Sequence, residues 1–212
     1  MVETQHPTPR EAFELLLDGN RRFVAGTPQH PNQDAARRAE TAPGQRPFAV
    51  LFGCSDSRLA AEIIFDRGLG DLFVVRTAGH VVGSEVLGSV EYGVGVLDCP
   101  LVVVLGHDAC GAVGAACAAL DDGAVPGGYI RDVVERVTPS VIAARAAGRG
   151  QPDEILAEHV SRTVDLLLDR SRSLAERVAA GQAAVVGLTY RLADGHTQLV
   201  ATRGLDAPVT AA

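Results

Sequence analysis

The chain has 212 residues, of which 47% are hydrophobic and 21% are charged. This composition predicts a folded protein with a sizeable core, and we expect a single domain over residues 1–212. The formal net charge of −7 argues against nucleic acid as a partner, because phosphate binding needs clustered basic residues. The sequence has no signal-peptide core and no apolar run of about 18 residues. We therefore expect a cytoplasmic protein without a membrane partner.

The first predicted element is an amphipathic helix. Thr8 can cap it, Glu11 completes a capping box, and Gly26 is the expected end. The apolar stripe of this helix needs a surface to pack on, so we interpret residues 1–26 as an N-terminal helical arm. At the other end of the chain, residues from about 206 to 212 are predicted to form a loose tail.

Three short apolar runs follow, at residues 48–52, 72–75 and 101–105. Their residues are apolar at every position instead of alternately, which is typical of strands covered on both faces. Helical patterns at residues 59–65 and 84–97 lie between them. This β-α-β-α-β order predicts an α/β fold with a central, mostly parallel sheet of four to five strands flanked by helices.

The remainder of the chain predicts further helices and then a hairpin. Helical patterns cover residues 110–120, 130–146 and 153–180. Two late strands at residues 183–188 and 198–201 are separated by an Asp-Gly turn signal. We expect these two strands to pair as a C-terminal hairpin at the edge of the sheet.

The side chains that can carry chemistry follow the first and third predicted strands, in CSDSR at residues 54–58 and GHDACG at residues 106–111. In open α/β sheets ligands bind outside the carboxyl ends of the strands, so both segments should reach one edge. His107 and Cys110 are spaced to face one ion, and Cys54 would join them from the neighbouring strand. Two thiolates and one imidazole suit Zn²⁺, and three protein ligands are typical of a catalytic site.

Asp56 and Arg58 add a second feature to this predicted site. Arg58 could pair bidentately with the carboxylate of Asp56, turn it away from the metal and leave the fourth position to water. Without that pair, Asp56 could itself ligate the zinc and close the site. The alternatives are a purely structural ion pair and a structural zinc clip.

Other cysteines and histidines have simpler interpretations. Cys99 and Cys117 are expected to be small buried hydrophobic residues. A disulfide between Cys54 and Cys110 fits a cytosolic chain poorly. His80 follows the second strand, which would place it near the mouth of the site as a candidate proton relay. The remaining histidines are interpreted as surface or structural residues: His6, His30, His159 and His196.

Taken together, the motifs CSDSR and GHDACG resemble those of the β-carbonic anhydrases, and the resemblance covers most of the chain. It implies that Cys54, His107 and Cys110 hold one Zn²⁺ per subunit and that Asp56 and Arg58 form a catalytic dyad. The implied reaction is the reversible hydration of carbon dioxide to bicarbonate and a proton by zinc-bound hydroxide.

The same resemblance implies a substrate pocket and an assembly. In the family the pocket forms where two subunits meet and the N-terminal helix packs on the partner, so a homodimer or a dimer of such dimers is implied. A bicarbonate-regulated site of some bacterial members uses a tryptophan where this chain has Leu51, so that regulation is not expected. The residues that match the pocket are Gln45, Phe73, Ala78, Tyr92 and Gly111.

Two rival functions share these residues. A hydrolase of carbonyl sulfide or carbon disulfide could use the same architecture, and substrate assays would distinguish it. A non-catalytic zinc or redox-sensing protein would have little use for Asp56 and Arg58, and its thiols would oxidise readily after loss of zinc.

Overall fold

The computed structural model describes residues 6–205, so the predicted tail at 206–212 and the first five residues of the predicted arm lie outside the described residues. Within that range, the five strands form one sheet in the order β2-β1-β3-β4-β5. The strands are β1 (Ala49–Cys54), β2 (Leu72–Thr77), β3 (Leu101–His107), β4 (Ala184–Tyr190) and β5 (Thr197–Arg203).

Helices connect the strands, and most lie close to their predicted positions. The pattern predicted at residues 153–180 is divided into two helices, because Ser171 is extended and its hydroxyl caps the second one. The capping box of Thr8 and Glu11 is present at the start of the first helix. The pattern at residues 59–65 forms only one helical turn. Between residues 6 and 205 the α-helices are α1 (Pro9–Val24), α2 (Ala35–Thr41), α3 (Ala61–Ile64), α4 (Ser84–Gly95), α5 (Gly111–Asp121), α6 (Tyr129–Ala146), α7 (Pro152–Arg170) and α8 (Arg172–Ala179).

The sheet is parallel except at one edge. β1 pairs in parallel with β2 and β3, and β3 pairs in parallel with β4. β4 and β5 are antiparallel, which confirms the predicted C-terminal edge hairpin. Because three parallel pairs share one direction, the ends of β1 and β3 lie side by side at the same edge of the sheet.

Strand β2 differs from its sequence prediction in burial. All residues of β1 and β3 are buried, as their continuous apolarity predicts. The apolar residues of β2 are only half-buried, and Arg76 in this strand is exposed. Both faces of β2 are nevertheless packed, with Leu72 and Val74 against one apolar cluster and Phe73 and Val75 against the other. Its side chains are only partly buried because this strand is the open edge of the sheet, with a neighbour on one side only.

Two apolar clusters cover the two faces of the sheet. On one face the buried side chains of α1, α3, α5 and α6 pack against the strands. On the other face α4, α7 and α8 supply the buried side chains. No helix between residues 6 and 205 combines the length and apolarity needed to span a bilayer.

Helix α1 packs on its own chain. Phe13 is fully buried, and a side chain at Gly19 would lie 1.7 Å from the backbone oxygen of Phe65. The side-chain amide of Asn20 donates to the backbone oxygen of Gly195 over 2.9 Å. The apolar stripe of α1 is therefore covered by its own chain, and packing of this helix on a partner subunit stays a prediction.

Candidate metal centre

Three buried donor groups meet where β1 and β3 end. Cys54 is the last residue of β1, His107 is the last residue of β3, and Cys110 precedes the first residue of α5. Their ligand atoms all lie within 4.8 Å of one another. The structure thus brings together the three residues that the two sequence motifs predicted as a metal site.

A tight turn presents His107 and Cys110 to the same point. Ala109 has a positive φ of 50°, which lets the chain reverse between the two donors. The carboxylate of Asp108 accepts a hydrogen bond from the amide of Leu192 over 2.8 Å. Because this contact ties the turn to the segment after β4, the spacing of the two donors is held by tertiary structure as well as by sequence.

The imidazole of His107 is oriented for a metal ion. Its Nδ1 lies 2.8 Å from the backbone oxygen of Asp108, and that oxygen can only accept, so Nδ1 carries the hydrogen. Nε2 is buried and has no hydrogen-bond partner among the described residues. An orphaned imidazole nitrogen beside two thiols is the donor set that zinc binds, so the residues present fit a zinc ion.

The two thiols share a polar environment. A hydrogen bond from Cys110 lowers the pKa of Cys54 against the opposing effect of burial, and the backbone amides of Asp56 and Gly79 act in the same direction. The contact with Cys54, together with burial, raises the pKa of Cys110. Ionisation of one thiol therefore opposes ionisation of the other, and a divalent cation would be needed to stabilise both sulfurs as thiolates.

Asp56 lies beside the three donors and is held by Arg58. Nε and Nη2 of Arg58 donate to the two carboxylate oxygens over 2.9 and 2.8 Å, and the Arg58 amide donates to Oδ1 over 2.9 Å. These bonds to Arg58 hold the pKa of Asp56 well below its usual range. Oδ2 of Asp56 is 3.8 Å from Nε2 of His107, so the carboxylate is paired with Arg58 and still borders the donor group.

Arg76 supports the loop that carries Asp56. Its Nε donates to the backbone oxygen of Cys54 over 2.9 Å, and its Nη2 donates to the backbone oxygen of Asp56 over 2.5 Å. In this chain Arg76 therefore fixes the backbone of the CSDSR segment.

The predicted pocket residues fall into two groups. Ala78 precedes Gly79, whose amide donates to Cys54, and Gly111 follows Cys110, so both border the three donors. Gln45 is exposed in the loop before β1. A separate cavity of about 330 Å³ borders His107 and Cys110, and none of the predicted pocket residues lines it.

Phe73 and Tyr92 lie away from the donors of their own chain. Their ring centroids are 5.9 Å apart, and they pack on the face of the sheet that α4 covers, opposite to α5. Phe73 is four residues before Thr77, which pairs with Cys54, a separation of about 13 Å along the strand. Within one chain these two rings do not complete a pocket around the donors.

Two histidines are buried behind the site, and only His80 was placed near it from the sequence. His80, considered above for a relay at the site mouth, has no exposed surface, and neither of its ring nitrogens has a partner among the described residues. Its ring stacks on His159, with 4.3 Å between centroids. His159 lies on α7, far along the chain from both motifs, and no local pattern in the sequence could have placed it there.

An α/β sheet that presents two thiols and one imidazole at the ends of adjacent parallel strands defines a zinc-binding α/β protein. Comparison with known proteins narrows that class. The family model described as carbonic anhydrase matches residues 49–197. The chain is 60% identical over 191 residues to carbonic anhydrase 2 of Mycobacterium tuberculosis, covering 90% of this chain and 92% of that protein. It is 59% identical over 191 residues to a carbonic anhydrase of Mycolicibacterium smegmatis, covering 90% and 93%.

Solved structures agree at the level of the fold. A tetrameric β-carbonic anhydrase of Sordaria macrospora superposes with a TM-score of 0.68 at 22% identity, covering 89% of this chain and 96% of that one. The β-carbonic anhydrase of Coccomyxa gives a TM-score of 0.69 at 24% identity, covering 87% and 84%. The chain belongs to the carbonic anhydrase family, and its fold is that of the β class.

Proposed function

We propose that this protein catalyses the reversible hydration of carbon dioxide to bicarbonate and a proton, with Cys54, His107 and Cys110 as the zinc ligands. The observation that carries the proposal is the position of Asp56. Its carboxylate lies 3.8 Å from the free nitrogen of His107 while both of its oxygens are held by Arg58. A structural zinc site would not need a fixed anion at its border.

When bound, zinc supplies a nucleophile by lowering the pKa of a coordinated water, to about 7 in a site of three histidines. The thiolates of Cys54 and Cys110 would offset more of the cation's charge than imidazoles do. We therefore expect activity to be greatest on the alkaline side of neutrality.

Asp56 and Arg58 form the proposed catalytic dyad. As an ionised acceptor fixed by Arg58, Asp56 can take a hydrogen bond from the attacking oxygen and orient it. The same carboxylate is close enough to the donor group to ligate the metal if Arg58 releases it. In the proposed gate, the Arg58-bound arrangement is the open state and an Asp56 that ligates zinc is the closed state, which low pH should favour.

The proposed substrate pocket is completed by a second copy of the chain. Ala78 and Gly111 border the donors within one chain, whereas Gln45, Phe73 and Tyr92 lie elsewhere on the surface. Tyr92 is 45% exposed although its ring packs on Phe73 at the open β2 edge. An exposed aromatic side chain at an open sheet edge supports a homodimer, or a dimer of dimers, that brings these residues to the partner's site.

A cytoplasmic location is part of the same proposal. All four cysteines are free thiols, including the pair proposed as ligands. Reducing compartments keep such thiols available for zinc.

The decisive experiment is stopped-flow hydration of carbon dioxide at about pH 7 and about pH 9, with zinc content measured on the same sample. Fast, zinc-dependent turnover that rises with pH is the expected result. A protein with a full complement of zinc and no turnover at either pH would overturn the proposal, and carbonyl sulfide and carbon disulfide would be the next substrates to assay.

A further inference from the structure

His159 connects helix α7 to the loop behind the proposed zinc site. It is 3% exposed, and both ring nitrogens have partners. Nε2 lies 2.9 Å from the backbone oxygen of Gly79, and Nδ1 lies 2.9 Å from Oγ of Ser140 on α6. The mechanism proposed above does not use this side chain.

These partners determine the direction of each hydrogen bond. The oxygen of Gly79 can only accept, so Nε2 of His159 must carry the hydrogen. Burial, which is the largest effect, lowers the pKa of His159, so the ring is neutral and its Nδ1 is an acceptor. The hydroxyl of Ser140 therefore donates to His159, which in turn donates to Gly79.

Gly79 adopts a conformation that few other residues could hold here. Its φ is 62° and its ψ is 20°, in the left-handed region. A side-chain carbon at this position would lie 2.6 Å from Cβ of Ala112, in the first turn of α5. In this conformation the Gly79 amide donates to Sγ of Cys54 over 3.3 Å.

The ring of His159 is itself held in place. His80 stacks on it with 4.3 Å between centroids and an interplanar angle of 40°. Because His80 directly follows Gly79, the stacking and the hydrogen bond to the Gly79 oxygen restrain the same short segment. The orientation of the Gly79 amide is thus set by contacts from α7 and α6 as well as by its own loop.

We propose that His159 is a positioning residue for the zinc site: it fixes Gly79 so that the Gly79 amide donates to the Cys54 sulfur. The inference rests on the assignment of Cys54 as a zinc ligand under the proposed function. An amide that donates a hydrogen bond to a metal-bound thiolate changes how much negative charge the sulfur donates to the metal. The same bond fixes the orientation of the thiolate. Substitutions of such outer partners typically weaken metal binding by about 10–100-fold.

The test compares zinc affinity, by competition with a chelator, in four proteins. His159→Phe keeps a ring and removes both hydrogen bonds, whereas His159→Gln keeps an N–H donor at the position of Nε2. Thr163→Val is the matched control, since the buried Thr163 hydroxyl donates to the His159 backbone oxygen over 2.8 Å and does not reach Gly79. The thiolate-to-metal charge-transfer band of the cobalt-substituted proteins gives a second readout.

We expect His159→Phe to bind zinc about 10–100-fold more weakly and to shift the charge-transfer band. His159→Gln should recover most of the affinity, and Thr163→Val should match the wild type. A purely structural role would lower thermal stability in these variants without moving the band. Wild-type affinity and an unchanged band in a folded His159→Phe protein would overturn the proposal.

A second variant keeps the inference testable if His159→Phe does not fold. Ser140→Ala removes only the donor to Nδ1 and leaves the ring free to turn away from Gly79. Weaker zinc binding in Ser140→Ala than in Thr163→Val supports the proposal, and equal affinities overturn it. A wild-type protein that binds no zinc would instead refute the proposed function, so the two failures are distinguishable.

Discussion

The guanidinium of Arg58 donates two hydrogen bonds, of 2.9 and 2.8 Å, to the carboxylate of Asp56, which lies only two residues before it in the chain. The pair lies within one short segment, whose backbone Arg76 holds from β2 through the oxygens of Cys54 and Asp56. Its effect can therefore be removed by substitution without disturbing the three metal donors.

Replacing Arg58 with Ala should lower kcat by about a hundredfold while leaving zinc bound, because Asp56 loses the group that orients it. The measurement is stopped-flow turnover with metal analysis on the same sample. Arg203→Ala is the matched control, since Arg203 pairs with Asp165 over 2.6 Å on the surface. Full activity in Arg58→Ala would contradict the gating role.

The cysteines should separate into two classes by zinc content. Cys54→Ser and Cys110→Ser are expected to lose stoichiometric zinc, because each removes one of the three donors and one of the two thiolates. Cys99→Ser and Cys117→Ser should retain it. Burial raises the pKa of Cys99 to about 12, and its thiol donates to the backbone oxygen of Pro47 over 3.3 Å, so it is an inert core residue. Full zinc in Cys54→Ser would remove that residue from the ligand set.

Acid should destabilise the protein through its buried histidines. Burial, with smaller contributions from His159 and His107, lowers the pKa of His80 well below its ordinary value. The unfolded chain therefore binds a proton near pH 6.5 that the folded chain excludes, and stability rises with pH. Above about pH 6.5 both states of the chain leave His80 neutral, so it does not lower stability. Below that pH, the free energy of unfolding falls by up to about 1.4 kcal/mol per pH unit.

Urea unfolding at about pH 7.5 and about pH 5.5 measures this effect. The change in the free energy of unfolding between the two pH values should be smaller in His80→Phe than in the wild type. It should stay unchanged in His30→Asn, which alters an exposed histidine at a positive φ of 50°. Comparing variants separates His80 from proton uptake by the proposed zinc ligands. An equal pH dependence in the wild type and His80→Phe would show that His80 does not contribute.

Replacing each of two glycines of α4 with alanine should change the stability of the protein in opposite directions. A side-chain carbon at Gly93 would lie 2.3 Å from Cγ2 of Val50, so Gly93→Ala should cost about 1–3 kcal/mol. Gly88 has nothing within 4 Å of the same position, and Gly88→Ala should stabilise the helix by about 0.5–1 kcal/mol. Thermal unfolding tests both. Destabilisation by Gly88→Ala would indicate that another chain covers this face of α4.

Much of the fold is predictable because its signals are local. The buried strands β1 and β3 are continuous apolar runs, and Cys54, His107 and Cys110 follow directly from where those runs end. The partial burial of β2 was not predictable, since an edge strand and a central strand of a parallel sheet can have the same apolar sequence. Only the order of strands in the sheet distinguishes them.

The surroundings of the donors depend on contacts between distant segments. His159 reaches Gly79 from α7, and Ser140 on α6 contacts His159 but carries no sequence signal of its own. Asp108 is fixed by the amide of Leu192, which lies 84 positions away. For such residues the sequence gives the type of side chain available and the fold decides which neighbours it meets.

The position of Cys110 immediately before α5 gives the proposed metal a second task. A zinc ion held there would join the start of this helix to the ends of β1 and β3, so removing it should release the helix before the sheet. Hydrogen exchange after treatment with a chelator should therefore accelerate first in the opening turns of α5, while the amides of β1 and β3 stay protected. The metal centre would then prevent local unfolding of the start of α5, independently of the stability of the sheet.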